Sequence, residues 1–200
     1  MTASSLTNGA LPLPRVEPAD DAEEAALLEA ARGGCARSFR LLVEHHQGRI
    51  HRFCFRYLRD EGDALEACQD TFIRAHGALG RFRPTARFST WLFQIALNLC
   101  RDQRRRKRRD HVAIEDHQSH LTCHRAAPDE AVMRDADLAR LDEGLAALPE
   151  KCRAVLVLCC LEGLDHAECG AILKCSPRAV EGRLYRARRR LTEWWNRQER

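Results

Sequence analysis

Two hundred residues suffice for one ordinary domain or two small ones and are too few for most multidomain enzymes. Hydrophobic residues at 44% can build real cores, and aromatics at 6% make those cores mostly aliphatic. Charged residues reach 31%, yet Lys+Arg 33 against Asp+Glu 29 leaves a net charge of only +4, which excludes a uniformly basic chromatin-type protein and a highly charged disordered chain.

The N-terminal segment, residues 1–22, opens on Ser, Thr, Pro and Gly without periodicity and reads as flexible. It has no basic stretch followed by an apolar one, so it does not read as a secretory signal. No apolar run approaches the ~20 residues needed to span a bilayer; the richest is Ala154 to Leu161. The expectation is a cytoplasmic protein without membrane insertion, whose thiols stay reduced. Helical pattern starts at Asp21, with Ala26, Leu27 and Ala30, and stops at Gly33-Gly34. Phe39, Leu42, Val43, Ile50, Phe53, Cys54, Tyr57 and Leu58 then mark an amphipathic helix by their spacing. After the polar turn Arg59 to Asp63, a third helix carries Leu65, Cys68, Phe72 and Ile73, and Gly77 to Pro84 breaks it. A fourth runs from Phe88 through Trp91, Leu92, Ile95, Ala96 and Leu99 into the basic block Arg101 to Arg109.

Residues 111–130 are polar, weakly periodic and hold Pro128, and they read as a linker between a domain at 23–110 and a second at 131–197. In the second, Cys152 to Glu162 reads as a helix ending at Gly163, and Leu164 to Leu173 as a short one. Lys174-Cys175 forms a turn, and Ser176 caps a helix with Pro177 at its first position. That helix sets Val180, Leu184, Ala187 and Leu191 on one apolar stripe, with Arg178, Arg183, Arg186, Arg188, Arg189 and Arg190 off it. A short helix, a tight turn and an arginine-loaded helix make a helix-turn-helix, whose second helix can enter a major groove. Valine, isoleucine and threonine never alternate as in strands, so the fold class is all-α, two small helical domains joined by a flexible linker.

At this point the residues resemble a known family. Asp63 to Phe72, Phe82-Arg83, Phe88 to Asn98 and Asp102 with its arginine run resemble region 2 of bacterial sigma factors. Leu148 to Arg153, Glu162-Gly163-Leu164 and Ala179 to Arg188 look like region 4. With only a linker between them and no additional N-terminal region, the chain is similar to the small extracytoplasmic-function (ECF) group of the sigma-70 family, over roughly residues 25–195. The resemblance implies a subunit that binds core RNA polymerase at the clamp region of its β′ subunit and directs promoter recognition and DNA melting in transcription initiation. Polymerase contacts then fall on Glu66, Gln69 and Asp70, although Ala67 and Cys68 depart from the family's acidic and aliphatic residues there. Minus-10 recognition and melting fall on Arg81, Arg83, Arg87, Asn98, Arg101, Arg104 and Arg105. Minus-35 recognition falls on Arg178, Glu181, Gly182, Arg183, Tyr185, Arg186 and Arg189. The resemblance also implies promoter DNA and an anti-sigma factor as partners, no cofactor and no catalysis, since nothing in the chain arranges a nucleophile, a general base or a phosphate cradle.

Ten cysteines and nine histidines are the remaining unusual figures. No Cys-x-x-Cys occurs, which removes the commonest zinc and thioredoxin signatures. Cys54, Cys68, Cys159 and Cys169 occupy positions suited to aliphatic residues, as small hydrophobes do. His117, His120, Cys123 and His124 crowd the linker as candidate metal ligands, without the spacing of a standard site. Cys159-Cys160 and the pair Cys169 and Cys175 are candidates for oxidation. An autonomous helix-turn-helix regulator, with or without metal or thiol sensing through these residues, is the alternative reading; it leaves the first half of the chain unexplained.

Overall fold

A computed structural model describes residues 21–83, 87–113 and 140–198, and all regular structure among them is helical. In the first domain α1 (Asp21–Arg32), α2 (Ala36–Leu58), α3 (Glu61–Ala78) and α4 (Phe88–Ala113) pack together, with a 3₁₀ turn at Leu79–Arg81. The boundaries have local causes. Gly34 at φ 92° and Arg59 at φ 62° take the left-handed conformation that ends α1 and α2. Asp60 caps α3, its carboxylate accepting from the Asp63 amide at 2.8 Å.

Residues spaced by three and four fill the core: Leu42, Ile50, Phe53 and Tyr57 from α2, Ala64, Ala67, Cys68 and Phe72 from α3, Phe88, Leu92, Phe93, Ala96 and Cys100 from α4. Leu65 and Ile73 depart from the sequence reading: they are exposed, at 50% and 68%, because the buried face of α3 runs through Ala64, Cys68, Thr71 and Ala75 instead. The basic block continues α4 as far as Ala113, so residues 111–113 of the expected linker are helical. The rest of that linker, with His117, His120, Cys123 and His124, lies outside the described residues.

The second domain consists of a helix over residues 140–147 (α5), α6 (Glu150–Leu156), α7 (His166–Leu173) and α8 (Pro177–Gln198). The sequence places one helix over Cys152 to Glu162. In the structure α6 starts earlier, after Pro149, and ends in a π turn at Val157–Leu161, where the Glu162 amide donates to the Val157 carbonyl at 3.0 Å. Helix α7 starts at His166 rather than Leu164 because Asp165 forms a capping box, taking the Ala167 and Glu168 amides while Glu168 takes the Asp165 amide. Lys174 at φ 51° turns the chain into α8, which Ser176 caps through the Ala179 amide at 3.2 Å. Gly170 permits that turn: a Cβ there would stand 2.7 Å from the Cys175 carbonyl oxygen.

The two domains pack on each other. Arg153, 4% exposed, donates to the carbonyls of Leu145 (2.7 Å), Ala146 (2.5 Å) and Leu148 (3.2 Å) and, across the boundary, to that of Tyr57 at 3.4 Å. Burial pushes this guanidinium down to about 10. On the other side of the π turn the Glu162 side chain, 3% exposed, receives Arg56 at 3.2 Å and Arg49 at 3.8 Å, and its carbonyl accepts from Arg49 at 2.9 Å. Burial pushes that carboxyl up, while Arg56, Arg49 and Arg52 oppose the rise.

Candidate nucleic-acid interface

Two arginine-rich surfaces emerge, one on each domain. The first surrounds an aromatic cluster where the 3₁₀ turn meets α4. Phe82, Phe88 and Trp91 pack with ring centroids 5.0–5.8 Å apart. Phe88 and Phe82 are buried, and half-buried Trp91 helps line a recess of about 220 Å³ together with Arg81, Phe82, Arg83, Thr90 and Gln94. The recess is not open on all sides, because Ala171 and Ile172 of α7 form its far wall. Glu168 of the same helix accepts from the Thr90 hydroxyl at 3.3 Å and stands 3.9 Å from Arg87. Cationic and aromatic groups around a base-sized opening are what a flipped, unstacked base requires.

Of the residues the sequence assigns to this surface, Arg81 and Arg83 come together at the recess and are exposed, while Arg87, also exposed, does not line it and stands against Glu168. Asn98 is exposed on α4 but does not line it. The basic run behaves differently, since much of its charge is already matched. Arg101 donates to Glu150 of α6 at 2.7 Å, Arg105 pairs with Asp102 at 3.3 Å, and Lys107 pairs with Asp63. Arg104 lies 5.8 Å from the centre of the Tyr57 ring and holds a buried Nη1 without a hydrogen-bond partner. Thr90 and Gln94 are wall residues that sequence reasoning missed; both lie on the face of α4 that carries Trp91, a helical spacing that could have found them.

On α3, Glu66 and Gln69 are exposed and Asp70 half-buried; Glu66 accepts from Gln103 at 3.1 Å. Exposed Leu65 and Ile73 align with Gln69 at intervals of four and flank these polar groups, so the outer face of α3 is a mixed apolar and acidic stripe.

The second surface is the solvent side of α8. Val180, Leu184 and Ala187 are buried, which turns Arg178, Glu181, Tyr185, Arg186 and Arg189 outward, with Gly182 and Arg183 half-buried. Tyr185 is 69% exposed, an aromatic side chain left in water on a cationic face. Arg183 turns back to the Cys175 sulfur at 3.3 Å and Arg188 to that of Cys160 at 3.4 Å, while Arg189 pairs with Glu193 at 3.3 Å. Among the described residues Arg178, Arg186 and Arg190 meet no carboxylate. Guanidinium groups held this way suit bidentate contact with guanine and contact with phosphate.

For metal, Glu24, His45 and His46 bring one ligand atom each within 4.8 Å of one another among the described residues. The 3.1 Å hydrogen bond between Glu24 and His46 already engages two of them and holds the Glu24 carboxyl below the usual carboxylate range. No helix of the described residues is long and apolar enough to cross a membrane.

Comparison with known proteins bears on both surfaces. The sigma-70 region 2 family matches residues 42–110 and the sigma-70 region 4 family residues 138–191. The chain is 32% identical to the RNA polymerase sigma-H factor of Pseudomonas aeruginosa over 174 residues, 83% of this chain and 90% of that protein. It is 32% identical to the RNA polymerase sigma factor CnrH of Cupriavidus metallidurans, over 86% of this chain and 94% of that one. Among solved structures, CnrH in complex with the cytosolic domain of CnrY superposes with a TM-score of 0.68 at 30% identity, covering 87% of this chain and 97% of CnrH. The sigma factor RpoE of Bartonella quintana, solved with the anti-sigma factor NepR, shares the fold with a TM-score of 0.65 at 20% identity, over 80% of this chain and 98% of that one.

Proposed function

The chain belongs to the sigma-70 family and, within it, to the ECF sigma factors, which direct RNA polymerase in transcription initiation, and from that premise we propose how its surfaces divide the work. Sigma factors are as a class non-enzymatic, and the task here is binding and strand separation. The aromatic recess, with Arg81 and Arg83 in its lining and Arg87 outside it, takes an extruded base of the minus-10 element, and Asn98, Arg101, Arg104 and Arg105 follow the adjoining strand. The outer face of α3 docks on core polymerase, with Glu66, Gln69 and Asp70 as polar contacts and Leu65 and Ile73 as apolar ones. The α8 face reads the minus-35 element through Arg178, Glu181, Gly182, Arg183, Tyr185, Arg186 and Arg189. The protein works in the cytoplasm, in two domains at 23–110 and 131–197 with a linker between them.

The observation that carries this reading is the wall that α7 builds across the recess. Ile172 walls the recess on one side while Glu168 holds Thr90 and stands near Arg87, so on this reading the packed arrangement is the form off polymerase. Docking on core polymerase separates the domains, breaking the Arg49–Glu162, Arg56–Glu162 and Arg101–Glu150 pairs and releasing Arg101 for phosphate. CnrH is known with a bound partner domain and RpoE with an anti-sigma factor; an anti-sigma partner of this chain would mask the same two surfaces by holding the domains apart from DNA. Size-exclusion chromatography of the purified protein with core RNA polymerase at low salt tests the assignment. Co-migration supports it, and separate elution overturns it.

A further inference from the structure

The second domain holds its sulfur atoms in an arrangement that sequence adjacency does not suggest. Cys159 sits on the π turn after α6 and Cys169 in the middle of α7, yet their Sγ atoms stand 3.1 Å apart. The neighbouring thiols are engaged elsewhere, Cys160 against Arg188 at 3.4 Å and Cys175 against Arg183 at 3.3 Å. A disulfide requires ~2.05 Å between sulfurs, so closure needs a movement of only about 1 Å. Cys159 is half-buried, within reach of a small solute, whereas Cys169 is fully buried behind it. The more exposed thiol can meet an oxidant first, and the buried one beside it can then resolve the sulfenic acid.

We propose that Cys159 and Cys169 form a peroxide-reactive dithiol. The Cys159 thiolate attacks one oxygen of hydrogen peroxide, the O–O bond breaks, and sulfenic acid and hydroxide result. The Cys169 sulfur then displaces the sulfenic oxygen, which leaves as water with the Cys169 proton. Two thiols thereby lose two electrons and two protons, and one peroxide becomes two waters. The electrostatics agree with this division of roles. The hydrogen bond from Cys169, with the Arg188 charge behind it, holds Cys159 below the ordinary thiol range, and the same contact together with burial raises Cys169. The ring closed by the new bond contains Glu162, whose side chain receives Arg49 and Arg56 of the first domain. Oxidation therefore staples the turn that carries the interdomain clamp.

The test is made on the full-length wild-type protein. It is treated with a few equivalents of hydrogen peroxide, its free thiols are alkylated, and it is cleaved after Glu162 or before Asp165 so that Cys159 and Cys169 fall on different peptides. The expected result is a cross-linked peptide pair joining Cys159 to Cys169, reversed by dithiothreitol, formed before exposed Cys35 is consumed, and a melting temperature several degrees above that of the reduced protein. Cys160→Ser and Cys175→Ser retain the cross-link, and Cys159→Ser abolishes it. The proposal is overturned if Cys159 and Cys169 are both still alkylated when Cys35 is oxidised, if Cys159 proceeds to sulfinic acid without a bond, or if the bond joins either of them to Cys160 or Cys175. Because the wild type carries the decisive measurement, a variant that folds poorly does not decide it.

Discussion

The two arginine-rich helices of this protein, α4 and α8, differ in what stands against their charge. On α4 three of the cations are matched from inside the molecule, Arg101 by Glu150, Arg105 by Asp102 and Lys107 by Asp63. On α8 the apolar stripe faces inward, and Arg178, Arg186 and Arg190 project into solvent with no carboxylate against them among the described residues. A cation already paired must exchange its carboxylate for a phosphate, and little net attraction is left over; an unpaired one gains the full interaction. The unmatched α8 cations are therefore free to meet an anion as they stand. The second domain engages part of the first surface, Glu150 meeting Arg101 and Glu168 standing 3.9 Å from Arg87, so its movement would free those two cations.

Five substitutions break or sharpen that difference. The largest effect is expected from Arg153→Ala, which strips four carbonyls of their shared donor beside the Arg101–Glu150 pair. A loss of about 3 kcal/mol or more in urea unfolding is expected, and the α4 cations should become reactive to solution anions. Arg186→Ala removes an unmatched cation, so promoter discrimination at the minus-35 element should fall by about 1–3 kcal/mol in competition binding by the holoenzyme. Arg105→Ala, which removes a matched one from the other surface, should lower the holoenzyme's overall promoter affinity far less than Arg186→Ala does, and equal losses would erase the contrast between the helices.

Glu162→Ala leaves Arg49 and Arg56, both on α2, without the carboxylate they meet across the domain boundary. Stability should drop by about 1–2 kcal/mol, moderated by the desolvation that Glu162 itself suffers, and small-angle scattering should show a larger radius of gyration. The smallest effect concerns α1. The Glu24 carboxyl is depressed by its hydrogen bond to His46, so the stability it contributes is present above pH 4.5, its ordinary value, and is lost as pH falls through the depressed one. Glu24→Gln should flatten the acid side of the stability profile below pH 4.5 by under ~1 kcal/mol, which thermal melts on the acid side can read.

Much of this architecture was legible in the sequence for local reasons. The spacings along α2 and α4, the Ser176-Pro177 start of α8 and its Val180, Leu184, Ala187 stripe are periodic or positional signals, and each is realised. What stayed hidden depends on partners far away in the chain. Glu162 reads as one carboxylate in a short motif, and nothing nearby announces Arg49 and Arg56 more than a hundred residues earlier. Ile172 reads as core of a short helix, and only the packing of the two domains makes it a wall of the recess. Leu65 and Ile73 fit a helical period with Phe72 and Cys68, but a helix of small residues such as α3 can bury a neighbouring stripe instead and leave them to water. Cys159 and Cys169 meet through the fold-back of α7 onto the π turn, a contact that their separation of ten residues does not announce.

The central claim, that this chain is an initiation subunit whose two basic surfaces act together on polymerase, is tested most directly by run-off transcription over a library of random promoters. With core RNA polymerase and this protein together, the account predicts transcripts from templates enriched in two spaced elements, with none from either component alone. Enrichment of a single element that the protein binds without polymerase, and no specific transcripts when core is added, would contradict it.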